Sequence, residues 1–326
     1  MIVVLKTHQL SDNDWKQIGE GFNASFEAHQ WDVERMKTFY SSTFLGYSYH
    51  ALDRDENGVL RGYNSLLPNE YDYDGKRIIV GVSGGTFVKK EFRKDVFIFK
   101  HLMDALFAFC REEGMAMKVG VPNHNSFKYA LVMNKAKLVG YLDYYILPIR
   151  AFDFLSQKWL RPLNVFTLGY SYLMLMVSSL VGQFGFRSTP KKIEISVGEN
   201  FYDLRFRCKS VYKECKKGQM TGFYRRYVER GRNVAYIMDF RENGQKTLRA
   251  LNFVARQILF KEHGLSAILY VGTINVSQPL LIKLPAKIQP QKLPLTINVI
   301  NGDKGLEENA LHMKNWEFSL LNFDVR

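Results

Sequence analysis

Hydrophobic and polar positions change their period several times along the chain, and the changes delimit its elements. Ile78–Val88 (IIVGVSGGTFV) reads as a strand, and Lys89–Asp95 (KKEFRKD) as a charged loop. Phe99, Leu102, Met103, Leu106, Phe107 and Cys110 then recur at i, i+3, i+4 spacing, which predicts a helix with one buried stripe, stopped by Gly114. Met115–Val121 is short and largely apolar, as a buried strand should be, and PNHNS turns into a further helix. Upstream, Met1–Leu5 is a strand, Ser11 or Asp12 can cap a helix to about Phe26, and a second helix covers about Val33–Tyr40. Tyr47–Leu52 and Val59–Leu67 flank the turn DENG, and DYDG leads back into the Ile78–Val88 strand, so two hairpins make a three-stranded meander. Lys137–Ile149 resumes strand character.

The second half repeats this order. Val234–Phe240 is a strand, Arg241–Lys246 (RENGQK) a polar loop, and Leu248, Leu251, Val254, Ala255, Ile258 and Leu259 share one helix face before the strand Ser266–Gly272. Strand, loop, helix, strand thus occurs twice, about 150 residues apart, which suggests two related lobes; two unrelated α/β pieces fit the pattern nearly as well. Pro279–Pro294 reads as an edge strand plus loop, and Trp316–Val325 as a final strand.

Pro162–Phe186 contains no charged residue. It is long enough to span a bilayer, which needs about 20 apolar residues. Asn164, Thr167, Ser171, Ser178, Ser179, Gln183 and several glycines favour instead a helix buried between domains or along their groove. Basic residues on both flanks leave a peripheral membrane contact as the intermediate reading.

Composition adjusts the picture in few places. The 326 residues suit two domains of about 150 each. The net charge of +13 favours anionic partners, but its short clusters (Lys89–Lys90, Lys191–Lys192, Lys216–Lys217, Arg225–Arg226) accompany no nucleic-acid motif, which disfavours nucleic acid. Aromatic residues make up 14%, which fits ring-filled cores or a substrate groove walled by rings. Cys110, Cys208 and Cys215 have no paired or zinc-ligand spacing, so neither a disulfide framework nor a metal is expected. With an N-terminus that reads as a strand rather than a signal peptide, a cytoplasmic setting follows, with contact at the inner face of the membrane as a variant of it.

Strand, two helices, three antiparallel strands, helix, strand, helix, strand is an order that resembles the GNAT (GCN5-related N-acetyltransferase) superfamily, over about 1–149 with an echo over about 191–326. The resemblance is to the two-lobed bacterial type linked to polysaccharide and envelope functions. It implies an α/β (α+β) fold of tandem lobes, each a mixed, mostly antiparallel sheet flanked by helices. The divisions it suggests are 1–150 for an acyltransferase domain, 151–190 for an apolar connection and 191–326 for a second, degenerate lobe.

The family's cofactor motif is R/Q-x-x-G-x-G/A, whose backbone amides at a helix N-terminus bind the pyrophosphate of coenzyme A. The matching residues are Arg93, Lys94, Asp95, Val96, Phe97 and Ile98, with Val96 and Ile98 in the glycine places. The resemblance also places Phe87, Val88, Asn123 and Ser126 beside the cofactor. Tyr129 becomes the candidate acid for the leaving thiolate, one position early in the motif, and Glu70 the first candidate base, ahead of Asp72 and His124. Gly84-Gly85 suit the strand bulge at which backbone donors polarise the thioester.

The activity implied is transfer of an acetyl or other acyl group from acyl-CoA to an amine. The acceptor would be a small molecule or a saccharide, such as an amino sugar of a surface polysaccharide. Three readings of the loop stay open: acyl-CoA bound with altered geometry, another acyl donor, or a lobe that has lost cofactor binding. The alternatives in function are accordingly a non-catalytic tandem GNAT-like binding protein or a Fem-like aminoacyltransferase.

Overall fold

The computed structural model describes residues 1–26 and 31–323. In chain order the elements are β1 (Ile2–Lys6), α1 (Asp12–Ser25), α2 (Val33–Ser41), β2 (Tyr49–Arg54), β3 (Leu60–Tyr73), β4 (Lys76–Val88), α3 (Phe97–Glu112), β5 (Met115–Gly120), α4 (His124–Val132), β6 (Lys137–Tyr141), β7 (Tyr144–Pro148) and α5 (Asn164–Gly182). There follow β8 (Ile193–Ile195), α6 (Glu199–Tyr202), β9 (Tyr212–Lys217), β10 (Met220–Glu229), β11 (Arg232–Glu242), α7 (Leu248–Lys261), β12 (Ala267–Val271), β13 (Ile282–Lys283), β14 (Pro294–Val299), α8 (Lys304–Ala310) and β15 (Trp316–Glu317).

Local chemistry fixes most boundaries. Ser11 caps α1 by accepting the Asp14 amide at 3.2 Å, while the Asp14 carboxylate takes the Ser11 amide at 2.9 Å. Gly58 and Gly75 close the two hairpins at φ of 79° and 80°, a region that disfavours a Cβ. Of the final strand expected over Trp316–Val325, Trp316–Glu317 is extended, and Asp324 and Val325 lie outside the described residues.

The contiguous division at 150 and 190 gives way to two compact units that interleave. The first comprises Met1–Gly140, Lys192–Arg205 and Pro294–Asn315; the second comprises Tyr141–Lys191, Phe206–Leu293 and Trp316–Arg326. The cause lies in strand partnership. The strand expected over Lys137–Ile149 breaks at Leu142-Asp143, so that β6 joins one sheet and β7 the other. In exchange β14, far along the chain, pairs with β5 in the first unit. Pro294 opens β14, a position where a missing N–H is tolerated.

The first unit's sheet runs β1-β2-β3-β4-β5-β14-β6, with β8 on β3. β4 and β5 are parallel, whereas β1/β2, β2/β3, β3/β4 and β5/β14 are antiparallel. Of the stripe predicted for α3, Leu102, Leu106 and Cys110 pack, together with Ile98, against Tyr49, Ala51, Leu66 and Met115. A second core joins Trp15, Ile18 and Phe22 of α1 and Met36 and Tyr40 of α2 to Tyr63 and Phe87 of the sheet.

The second unit's sheet runs β13-β7-β12-β11-β10-β9, with β11/β12 parallel and α7 over its core. Each unit is thus a mixed sheet flanked by helices. The expectation that the apolar 162–186 window is a buried helix is not met: in α5 only Asn164, Ser171, Leu175, Ser178 and Gly182 are buried.

Candidate functional site

The first unit opens between its two central parallel strands. Ile79 opposite Met115 and Val82 opposite Val119 are the outermost β4/β5 pairs. Beyond Val82, β4 continues to Val88 along β3, while β5 ends at Gly120, which is held by Thr296 of β14. The β4/β5 ladder therefore ends there, with Ser83–Val88 on one side and the chain from Gly120 on the other.

β4 carries a bulge at this point. Ser65 pairs with Gly85 and Leu66 with Ser83, so Gly84 is the extra residue. A bulge bends the strand and re-aims its backbone groups. Glycine lets Leu67 and Ser65 pack close: a Cβ at Gly84 would stand 2.0 Å from Leu67 Cδ1 and 2.9 Å from Ser65 Oγ, so both side chains would have to shift.

Lys118 lies at the base of the opening, opposite Gly81. Lys118 is 5% exposed, and burial rather than a neighbouring charge or hydrogen bond sets the state of its amine. A Cβ at Gly120 would stand 3.2 Å from Ser83 Oγ and 3.3 Å from Lys118 Nζ, so a hydroxyl and an amine converge where glycine leaves room. Burial disfavours the charged amine and lowers the Lys118 pKa from 10.5 to about 8.

A chain of buried polar groups runs behind the bulge. Thr7 Oγ1 is 3.0 Å from His50 Nε2, and His50 Nδ1 is 2.7 Å from Tyr63 OH. Ser65 Oγ lies 3.3 Å from both Tyr40 OH and Gly85 O. Burial pushes His50 down to about 3 and Tyr40 up to about 12, so both are neutral at physiological pH.

The sequence-proposed residues are distributed around this opening and away from it. Phe87 is buried in the core, stacked on Tyr63 at 5.6 Å. Val88 O accepts from Arg93 Nε at 2.9 Å, which ties the charged loop to the end of β4. Lys94 is exposed, as are Val96 and Phe97 at the start of α3, whereas Ile98 turns into the core. The α3 terminus is largely engaged by its own chain. Asp95 Oδ1 accepts from the Phe97 amide at 3.0 Å, and the amides of Phe92, Arg93, Asp95 and Ile98 donate to nearby carbonyls.

Asn123 caps α4, accepting from the Ser126 amide and hydroxyl at 3.0 Å each. Tyr129 is exposed on α4, edge-on to Phe99 of α3 with ring centres 6.5 Å apart. Glu70 faces Ile79, at the end of the β3/β4 pair remote from the bulge, and bonds Arg77 at 2.8 Å. Among the described residues no group of three or more His, Cys, Asp or Glu side chains could hold a metal.

The second unit has the same device in closed form. β11 and β12 pair in parallel from Val234/Ala267 to Ile237/Tyr270, and Met238 is the extra residue of a bulge between β10 and β11. Here the chain itself fills the parting. Thr273 N donates to Phe318 O at 2.8 Å, Leu320 N to Val271 O at 3.3 Å, and Gly272 bridges Ser319. A Cβ at Gly272 would strike Phe318 O at 2.3 Å.

Glu317 sits among Arg241 at 2.9 Å and Lys246 at 3.1 Å, all buried. Burial pulls the Lys246 amine down, but Glu317, Tyr270 and Asp239 more than reverse this, so it is held above its usual range. Arg241-Glu-Asn-Gly244 matches the first four motif positions, yet Arg241 is committed to Asp239, Gly244 O and Glu317.

Sequence reasoning passed over Lys118, Ser83 and the His50–Tyr63 and Tyr40–Ser65 contacts. The readable signal for Lys118 is a lone lysine inside the otherwise uncharged strand MAMKVG.

No protein-family model matches the chain, and no curated protein matches its sequence. Solved structures do. A GCN5-related N-acetyltransferase from Anabaena variabilis matches with a TM-score of 0.56 at 11% identity, over 92% of this chain and 73% of that one. A conserved protein from Enterococcus faecalis, described as a probable N-acyltransferase, matches with a TM-score of 0.56 at 14% identity over the same shares. A GCN5-related N-acetyltransferase from Kribbella flavida matches with a TM-score of 0.56 at 8% identity, over 92% of this chain and 71% of that one. At these identities the likeness is one of fold, and it bears out the GNAT fold expected from the element order.

Proposed function

We propose that this GNAT-fold chain is an N-acyltransferase, that the opening between β4 and β5 receives the acyl end of an acyl-CoA, and that Lys118 takes the proton from the acceptor amine. The observation that carries this is the buried Lys118, whose charge no neighbouring group offsets, beside the end of the β4/β5 ladder and the bulge at Gly84. Acyl-CoA would supply an activated acyl thioester.

The chain's own groups suit that end of the donor. The bulge at Gly84 re-aims backbone donors of the kind that stabilise a developing oxyanion. With its pKa lowered to about 8, Lys118 is neutral in roughly one molecule in ten at pH 7, as a proton acceptor must be. Ser83 Oγ borders the same space and can orient the nucleophile. Glu70 is remote from the bulge and bonded to Arg77, so Lys118 replaces it as the proposed base. Tyr129 stays the proposed donor to the leaving thiolate, on the exposed side of α4.

The phosphate end fits less well. Arg93 and Lys94 bring positive charge, but Asp95 takes a helix-terminal amide and adds negative charge there. That observation favours a second reading, a binding protein that has lost catalysis. The net charge of +13 makes amines on anionic carriers, such as nucleotide-linked amino sugars, the first acceptors to assay.

Melting with acetyl-CoA and longer acyl-CoAs separates the two readings. Ligand at 100 times its dissociation constant adds about 2.7 kcal/mol of stability. The enzyme reading expects this shift, together with CoA release when an acceptor amine is added. Lys118→Met should keep the shift and lose the release. A shift without release from any amine, equal in both proteins, supports the binding protein; no shift with any acyl-CoA sinks the acyl-CoA reading.

A further inference from the structure

α5 is built inside out. Its buried positions are Asn164, Ser171, Leu175, Ser178 and Gly182, mostly polar or small. Ser171 Oγ donates to Pro148 O, and Leu175 O accepts from Asn252 Nδ2 on α7 at 2.8 Å. The outward positions carry the large apolar side chains: Phe166 is 70% exposed, Val165 64%, Met176 and Leu180 58% each and Leu173 48%. A helix that faces water has the opposite arrangement. The apolar strip continues past both ends, to Trp159 and Phe184.

Charge frames the strip without entering it. No residue from Pro162 to Phe186 is charged, while Lys158 and Arg161 precede it and Arg187 and Lys191 follow. Arg256 lies over the ring of Phe260, which itself contacts Tyr172 of α5 at 6.1 Å. Of the carboxylates near its ends, Asp153 is bonded to Arg150 at 3.2 Å and faces Arg161 at 3.9 Å, and Glu242 is bonded to Arg249 at 3.0 Å.

By length and composition Lys158–Gly182 is apolar enough to cross a membrane. Its packing opposes a crossing. One face is fastened to α7, which carries Arg249, Arg256 and Lys261, and the chain leaving α5 bridges back from Arg187 to Thr247 at the start of α7. A helix held in this way can immerse only its outward half, lying in the plane of the interface.

We propose that α5 docks this protein on an anionic phospholipid bilayer, parallel to the surface. Val165, Phe166, Leu173, Met176 and Leu180 enter the acyl boundary, Trp159 sits at the headgroup level, and Lys158, Arg187 and Arg256 face the phosphates. A second copy of the chain is the competing occupant. Charge disfavours it, because pairing two such strips brings two basic rims together.

The test is co-sedimentation of the full chain with phosphatidylcholine vesicles containing a quarter phosphatidylglycerol, with light scattering of the free protein alongside. Binding is expected, weakened by salt, with a blue shift of tryptophan emission that Trp159→Phe removes. Phe166→Ser with Met176→Ser should lower partitioning at least tenfold while the melting temperature is maintained, since both side chains face outward. Absence of co-sedimentation overturns the proposal. So does a dimer of the free protein that the same double substitution dissociates, which would assign the face to a second copy.

Discussion

Replacing Lys118 with Met should make this protein more stable at neutral pH, and by an amount that the site itself sets. Met nearly matches the lysine stem in volume and lacks the amine, so packing is largely conserved. In the wild type, burial lowers the amine from 10.5 to about 8, and no neighbouring charge or hydrogen bond offsets it. The unfolded chain therefore binds the proton more tightly than the folded one. Stability is fully present above the unfolded value of 10.5, declines as pH falls, and reaches its full penalty below about 8. At 1.36 kcal/mol per pH unit the penalty at pH 7 is about 3 kcal/mol. Urea unfolding of wild type and Lys118→Met at pH 7, 8, 9 and 10.5 measures it. The variant should lead by about 3 kcal/mol at pH 7, and the lead should close between pH 8 and 10.5. A lead that is absent at pH 7, or unchanged across the series, would refute the account of an uncompensated buried amine. An inactive variant of raised stability is the pairing expected of a site that trades stability for chemistry.

Glu317→Gln should do the reverse in the second unit. It strands Lys246 and Arg241 without their shared carboxylate, a loss of about 3–5 kcal/mol that thermal unfolding would register. Burial raises the Glu317 pKa, but Lys246 and Arg241 outweigh it and hold it below 4.5, so this contribution is present above pH 4.5 and fades as pH falls further. His50, pushed down to about 3 by burial, makes the first unit acid-sensitive earlier: its contribution is whole above 6.5 and is lost as pH falls from 6.5 towards 3. His50→Gln, which can still bond Thr7 and Tyr63 but does not titrate, should flatten stability between pH 6.5 and 4; an unchanged slope would remove His50 from the acid response.

Much of the first unit was legible because its signals are local. The Ser11 cap, the two glycine-closed hairpins, the α3 stripe and the glycine pair at the bulge each follow from residues a few positions apart. The exchange of β7 and β14 was not, since a strand's period says which face is buried but not which partner it takes. α5 failed for a related reason. An uncharged run with scattered serines reads the same whether its polar side faces a core or its apolar side faces outward, and only the packing of Ser171 and Asn252 decides. At the site, motif matching drew the eye to the loop before α3, where Asp95 already engages an amide. Lys118, on which the proposed function rests, sits in a strand whose other residues are uncharged and so gives only a weak signal in the sequence.

The two units answer the same structural problem in opposite ways. A parallel pair that parts beside a bulge exposes backbone groups and leaves a gap that must be filled. In the second unit the chain from Trp316 to Leu321 fills it, and Glu317 and Asp239 between them balance the Lys246 and Arg241 charges there. In the first unit Lys118 stands beside the corresponding ladder end, where among the described residues no charge offsets its burial, at a penalty of about 3 kcal/mol. In the second unit Glu317, with Tyr270 and Asp239, more than offsets the burial of Lys246. The uncompensated amine is therefore the physical reason for placing the proposed chemistry in the first unit, whereas the second unit closes its gap with its own chain.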